Sequence, residues 1–240
     1  MTTHLTTLAA RESIADGTMA FHFLRPAGFE FKPGQAIDLV LSAETGADDA
    51  GLRHAFSIVS APFEDELVIA TRMRDSAFKR RLGALAVGAQ VTIDGPFGSL
   101  TLHQNPARAA VLIAGGIGIT PLMSMLRQAA HEQRSQRLIL LYSNRRPEDA
   151  AFLGELQRLE TQNRNFRLHA TMTQIEASHQ AWHGPTGQID APRLKTVVPD
   201  PGAAVFYVVG PPAIVEGMRL TLAAAGIADD DIRSEEFYGY

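Results

Sequence analysis

AAVLIAGGIGITPLMSML, residues 109–126, decides the fold. An apolar run, Val111 to Ala114, leads into Gly115, Gly116 and Gly118. Thr120 and Pro121 follow, and Leu122, Met123, Met125 and Leu126 then carry a helical pattern. The stretch reads as a buried strand, a tight turn and the start of a helix. Glycines in such a turn let a phosphate approach the backbone, while the helix N-terminus presents free N–H groups and a partial positive charge. Pro121 suits the first helical turn, where its missing N–H costs nothing. The hexapeptide Gly116-Ile117-Gly118-Ile119-Thr120-Pro121 carries proline where the dinucleotide fingerprint has its third glycine. A purely structural strand-to-helix turn is the competing reading, so the choice rests on companions elsewhere in the chain.

Composition narrows the classes. A chain of 240 residues suits one large domain or two small ones. The net charge of −4 argues against a dedicated nucleic-acid binder, which shows a basic surplus. No apolar run approaches the roughly 18 residues that span a bilayer, so no membrane insertion is expected. Met1 to Ala10 lacks the basic start and long apolar centre of a signal peptide, and a cytoplasmic home is the simplest expectation. There is no cysteine, which removes disulfides, thiolate zinc sites, cysteine nucleophiles and cysteine-ligated iron–sulfur clusters together. The eight histidines lack ligand spacing, so no metal site is expected and redox chemistry would need an organic cofactor.

Two halves differ in period. Before about residue 103, short strands are expected at Ile14–Leu24, Ala36–Leu41, Ala55–Val59, Glu66–Met73, Gln90–Ile93 and Ser99–Leu102. Turn signals at Pro33-Gly34, Gly51, Pro62, Gly88 and Gly95-Pro96 separate them, a pattern that suggests a closed antiparallel barrel. One helix is expected there, Ser76 to Leu85, with Ser76 as its N-cap. From Ala109, strands at 110–114, 138–142, 166–172 and 204–209 alternate with helices at 120–134, 148–161 and 211–225. Alternation of this kind means a parallel sheet with crossover helices. The expected fold is thus a β barrel over 1–105 followed by an α/β unit over 106–240, with His103 to Arg108 as the boundary.

This architecture, with three companion motifs, resembles the ferredoxin–NADP reductase superfamily over nearly the whole chain, from about Phe31 to Tyr240. The resemblance implies an FAD-binding barrel, an NADPH- or NADH-binding second domain, and hydride transfer at their interface. The first motif is Arg53-His54-Ala55-Phe56-Ser57, similar to the family's flavin-binding Arg-x-Tyr-Ser strand, with His54 and Phe56 at the arginine and tyrosine positions. Its His-x-Phe-Ser form resembles ferric reductase and NADPH oxidase relatives. Phe56 would lie flat against the isoalloxazine and Ser57 would hydrogen-bond near N5. Histidine makes the pyrophosphate contact pH-sensitive, and Arg53 is a candidate to compensate. The second motif runs from Arg72 to Lys79, where Arg72, Ser76 and the amides of Ala77 and Phe78 would hold the FAD pyrophosphate, with Arg80 and Arg81 facing solvent. These cations are also candidates for docking an acidic carrier protein.

The third motif, Val209-Gly210-Pro211-Pro212, resembles the family's Cys-Gly-Pro-Pro loop over the nicotinamide, with Val209 replacing the cysteine. At the C-terminus Phe237, or failing that Tyr240, would cover the flavin face that receives nicotinamide, with Glu235 or Glu236 near the reacting atoms. The resemblance assigns Ser57, Phe237 and Glu236 to catalysis. It places the coenzyme over Gly115, Gly116 and Gly118, with Thr120 on the carboxamide and Gly210 and Pro211 beside the ring. Ser143, Arg145 and Arg146 follow the second strand of the α/β half and could hold a 2′-phosphate, a lean towards NADPH over NADH.

The function implied is an FAD-dependent NAD(P)H oxidoreductase. With no cysteine-bearing ferredoxin domain in the chain, electrons would leave to a separate carrier such as ferredoxin or flavodoxin. Alternatives are direct reduction of free flavin, a quinone or a ferric chelate, an electron-transfer subunit of a larger complex, and a catalytically silent flavin- or nucleotide-binding regulatory module. Oligomeric state carries no sequence signal.

Overall fold

The computed structural model describes residues 2–41 and 52–238. Six antiparallel strands come first: β1 (Thr2–Ala15), β2 (Thr18–Leu24), β3 (Ala36–Val40), β4 (Arg53–Ser57), β5 (Glu66–Arg72) and β6 (Gln90–Phe97). They lie in the order β4-β3-β6-β1-β2-β5. The two outer strands meet just past β4, through an Ile58–Ile69 bridge and a Val59 N–H to Val68 carbonyl bond of 2.8 Å. The sheet therefore closes on itself, which removes open edges. Phe21, Phe23, Ile37, Leu39, Phe56 and Ile69 fill the interior.

Departures from the sequence pattern have local causes. Ile14–Leu24 is two strands, because Asp16-Gly17 turns the chain, with Gly17 at φ +59°. Most of β1 carries no amphipathic signal; only Thr6 and Leu8 are buried, and the strand exists because β2 and β6 pair with it on both sides. Ser99–Leu102 is not a strand. Its leucines are buried, but the backbone is held by the other half of the molecule: Arg233 donates to the Thr101 carbonyl, and the His103 N–H donates to the Tyr207 hydroxyl at 2.7 Å. Gly51 lies outside the described residues. Helix α1 (Ala77–Ala84) starts where expected, with the Ser76 hydroxyl accepting from Lys79 N at 3.2 Å.

The second sheet is parallel: β7 (Ala109–Gly115), β8 (Leu138–Asn144), β9 (Phe166–Met172), β10 (Ala204–Gly210) and β11 (Ile232–Glu236), in the order β11-β10-β7-β8-β9. Helices α2 (Ile119–His131) and α3 (Leu153–Gln162) cover one face, and α4 (Ala191–Val197) and α5 (Pro212–Ala224) the other. The strand order reverses between β7 and β10, and a ligand crevice is expected outside the carboxyl ends of the strands at such a point. Residues 98–108 join the two sheets.

The helix expected over 148–161 is broken: Pro147–Asp149 forms a 3₁₀ turn, and Phe152 at φ +61° precedes α3. The helix expected over 120–134 stops at His131, followed by Gln133 at φ +51°. Helix α4, capped by Asp190, and strand β11 were not foreseen. Among the described residues no helix is long and apolar enough to cross a membrane.

Candidate functional site

A cleft of about 670 Å³ opens at the carboxyl ends of β7 and β8, within the size range of small-molecule sites. Gly115, Gly116 and Ile117 form its floor, Ser143 and Arg145 one wall, and Pro211 with helix α5 the other. Gly116 sits at φ +53°, a left-handed conformation that turns the chain sharply after β7. Gly118 does different work. It packs against β10, where a Cβ would meet the Val209 carbonyl oxygen at 2.4 Å, so its role is close backbone contact and it does not line the cleft. Thr120 is 2% exposed and its hydroxyl donates to the Ile117 carbonyl at 3.1 Å. It therefore shapes the turn, and the expected carboxamide contact is not available to it as it stands.

The arginines sort differently from the sequence expectation. Arg72, expected on the FAD side, extends from the end of β5 into the cleft, with Nη2 3.5 Å from the position of a Cβ on Gly116. Its guanidinium makes no ion pair among the described residues. Arg74 lines the same cleft. Arg145 is exposed on the cleft wall, whereas Arg146 is committed elsewhere. Arg146 donates to both oxygens of Asp149 at 2.9 Å and approaches Glu148 at 3.4 Å and Asp16 of the β1–β2 turn at 3.6 Å. The hydrogen bond to Asp149 holds its guanidinium above the ordinary arginine value, and with these carboxylates as its partners Arg146 braces the junction and does not line the cleft. Thr173, Gln174, Gln188 and Asp190 also line the cleft and were not anticipated. Their only sequence signal is that they follow β9 towards the carboxyl edge of a parallel sheet.

On the barrel, His54 and Phe56 share one face of β4, while Arg53, Ala55 and Ser57 share the other, as strand alternation requires. Phe56 is 3% exposed inside the barrel core, stacked under the His54 ring at 4.9 Å and 5.8 Å from the Phe78 ring. The open aromatic face is therefore that of half-buried His54, not Phe56. Arg53 cannot compensate at a pyrophosphate, because it pairs with Asp38 at 2.9 Å and with Asp94. Ser57 is buried, and its hydroxyl makes no hydrogen bond among the described residues. Ser76 and Ala77 are exposed at the start of α1, and the Ala77 and Phe78 N–H groups precede the first intrahelical bond. These donors fit a diphosphate. Arg80 is exposed and paired with Asp75, while Arg81 is half-buried and does not simply face solvent.

Residues 232–236, close to the C-terminus, form a strand. β11 pairs parallel to β10, and Phe237 N–H donates to the Gly210 carbonyl at 2.9 Å. A Cβ on Gly210 would lie 3.2 Å from the Gly115 backbone, which places the Phe237 segment at the Gly115–Gly118 turn. Phe237 packs against the core cluster on the α2 face of the sheet. Glu235 lies two residues after Arg233, which covers the Tyr207 ring on that same face. Glu236, assigned to catalysis from sequence, points the other way, is exposed, and accepts from the Tyr238 hydroxyl. Burial raises the Glu235 carboxyl above its ordinary value. Tyr240 lies outside the described residues.

The raised Glu235 has a measurable consequence. Its neutral form is favoured in the folded state, so its contribution is fully present below the unfolded value and is lost as pH rises through the folded one. Glu235→Gln is expected to leave the melting temperature near wild type at pH 4 and to raise it at pH 8. Thermal melts at the two pH values check this, and a variant that is destabilised at pH 8 refutes it.

Fold and cleft together define a closed antiparallel barrel joined to a parallel α/β sheet, with a glycine-floored crevice at the point where the strand order reverses. Comparison with known proteins agrees. Residues 112–219 match the family model described as the oxidoreductase NAD-binding domain. The glycine betaine monooxygenase reductase subunit of Chromohalobacter salexigens is 28% identical over 223 residues, covering 92% of this chain and 60% of the relative. The propane 2-monooxygenase reductase component of Rhodococcus jostii is 30% identical over 224 residues, covering 89% of this chain and 57% of the relative. The chain thus spans about 60% of the length of these curated relatives. In fold it matches a Neisseria gonorrhoeae ferredoxin NADP+ reductase solved with FAD and NADP, at a TM-score of 0.82 and 22% identity over 98% of each chain. In sequence the chain is thus similar to reductase components, and in fold to a ferredoxin NADP+ reductase.

Proposed function

We propose that this chain is a reductase that takes hydride from NADH or NADPH onto FAD and passes electrons to a separate protein acceptor. The observation that carries the reading is Arg72, a barrel residue whose guanidinium stands over the Gly116 turn of the parallel sheet. Barrel and nucleotide cleft therefore share one site. In this reading residues 1–105 form the flavin-binding unit and 106–240 the coenzyme-binding unit.

When bound, FAD supplies the capacity to accept a hydride and to release electrons onward. The chain's own groups do the rest. Ser76, the α1 amides and His54 would hold the flavin diphosphate, and Ser57 would offer its hydroxyl to the flavin ring. Gly115, Gly116, Arg72 and Arg145 hold the coenzyme, while Gly210 and Pro211 border its ring. Phe237 would cover the reacting face and keep water from it, and Glu235, two residues earlier on the same side of the strand, would be the carboxyl group of the site. Positioning is worth about 7–11 kcal/mol of barrier in such reactions, so holding two rings together is most of the task.

Two relatives bear names that make them reductase components of monooxygenases, which supports an oxygenase component as the acceptor; an electron carrier of ferredoxin or flavodoxin type is the second reading. A cytoplasmic setting, where nicotinamide coenzymes are kept reduced, belongs to the same proposal. The test is to load the protein with FAD and add NADH or NADPH without oxygen. Bleaching of the flavin band near roughly 450 nm by either nucleotide is the expected result. A protein that takes up no FAD, or a yellow protein inert to both nucleotides, overturns the reading.

A further inference from the structure

Helix α2, which begins directly after the coenzyme turn, carries Ser124, Arg127 and His131 at spacings of three and four residues, on one helical face. All three grip the barrel loop that follows β4. The Ser124 hydroxyl donates to the Ser60 carbonyl at 2.6 Å, both residues being fully buried. Arg127 donates to both oxygens of Glu155 on α3, at 2.7 and 2.8 Å, and reaches Glu64 of the barrel loop at 3.4 Å. The His131 ring stacks on Phe63 at 3.9 Å and 10°. Arg127 also lies 5.8 Å from the Phe152 ring, and its side chain is only 15% exposed.

We propose that Arg127 is a positioning residue: with Ser124 and His131 it bolts α2 to the barrel loop and so fixes where the Gly115–Gly118 turn stands relative to the flavin side. The inference rests on the proposed function for its kinetic consequence, though not for its structural one. One cation sits between a carboxylate from each half of the molecule. Removing it leaves Glu64 and Glu155 as unneutralised neighbours in a partly buried seam, which drives the halves apart. A displacement of about 1 Å at the reacting atoms costs on the order of a hundredfold in rate.

Two variants separate positioning from mere stability. Glu64→Gln removes only the charge of the barrel arm, because Oε2, which accepts from Ala61 N and lies 3.4 Å from Arg127, is retained and Arg127 keeps Glu155. Arg127→Ala breaks both arms. With FAD loaded, affinities for FAD and the oxidised coenzyme should stay within about twofold, while flavin reduction falls about tenfold in Glu64→Gln and about a hundredfold in Arg127→Ala. Arg127→Lys should recover part of the rate. Amide hydrogen exchange should quicken both at Ser60–Glu64 and at the distant Gly115–Ile119 turn. Unchanged reduction rates, or faster exchange confined to Ser60–Glu64, overturn the proposal. If neither nucleotide reduces the wild type, the functional reading alone falls and the exchange pattern still decides the seam.

Discussion

Gly118→Ala is expected to cost about 3 kcal/mol of stability, the upper end of what one overpacked methyl does, and to abolish coenzyme binding. A Cβ there would stand 2.4 Å from the Val209 carbonyl oxygen, 2.6 Å from its carbon and 2.8 Å from the Gly210 Cα. All three are backbone atoms of a strand that is hydrogen-bonded on both sides, by β7 and by β11. No side chain can swing away to relieve the contact. The strain must pass into β10, which carries Gly210 and, through its carbonyl, Phe237. Urea unfolding, with nucleotide binding by calorimetry, measures both effects. Gly217→Ala is the stability control, since nothing lies within 4 Å of its added methyl. Equal unfolding midpoints for the two variants would refute the packing account.

Arg72→Ala is expected to weaken NAD(P)+ binding about 10- to 100-fold while changing FAD affinity little. A hydrogen bond to a charged group contributes about 1.5–3 kcal/mol, and about 1.4 kcal/mol corresponds to a tenfold change. The sequence resemblance assigns this residue to the FAD pyrophosphate, so the experiment separates two readings. In the structure Arg72 points at Gly116, in the cleft shared with Ser143 and Arg145. Flavin release followed by fluorescence, with calorimetric titration of the coenzyme, provides the two affinities. Loss of FAD with normal coenzyme binding would restore the sequence assignment.

The site was legible where chemistry depends on backbone pattern and illegible where it depends on side-chain partners. The Gly115–Gly118 turn, the Ser76 cap and the Gly210-Pro211 turn all stand where local sequence put them. Arg146 looked equivalent to Arg145, and only Asp149, Glu148 and Asp16 show that it is already occupied. Glu236 and Glu235 are indistinguishable as letters. The pairing of β11 with β10 sets which of them faces the junction, because alternate strand residues point to opposite sides. The same alternation puts Phe56 inside the barrel and leaves His54 as the open ring.

By itself the sequence determined a barrel, a parallel α/β half and a glycine turn between strand and helix. Each of these follows from periodicity, turn residues and a few glycines, which act over a handful of neighbours. Tertiary structure alone decided that β1 is a strand, that residues 232–236 are one, and that Arg72 stands at the Gly116 turn from the other half of the molecule. Those features depend on groups far apart in the chain that meet only when the two sheets pack, and no local pattern encodes a distance between them.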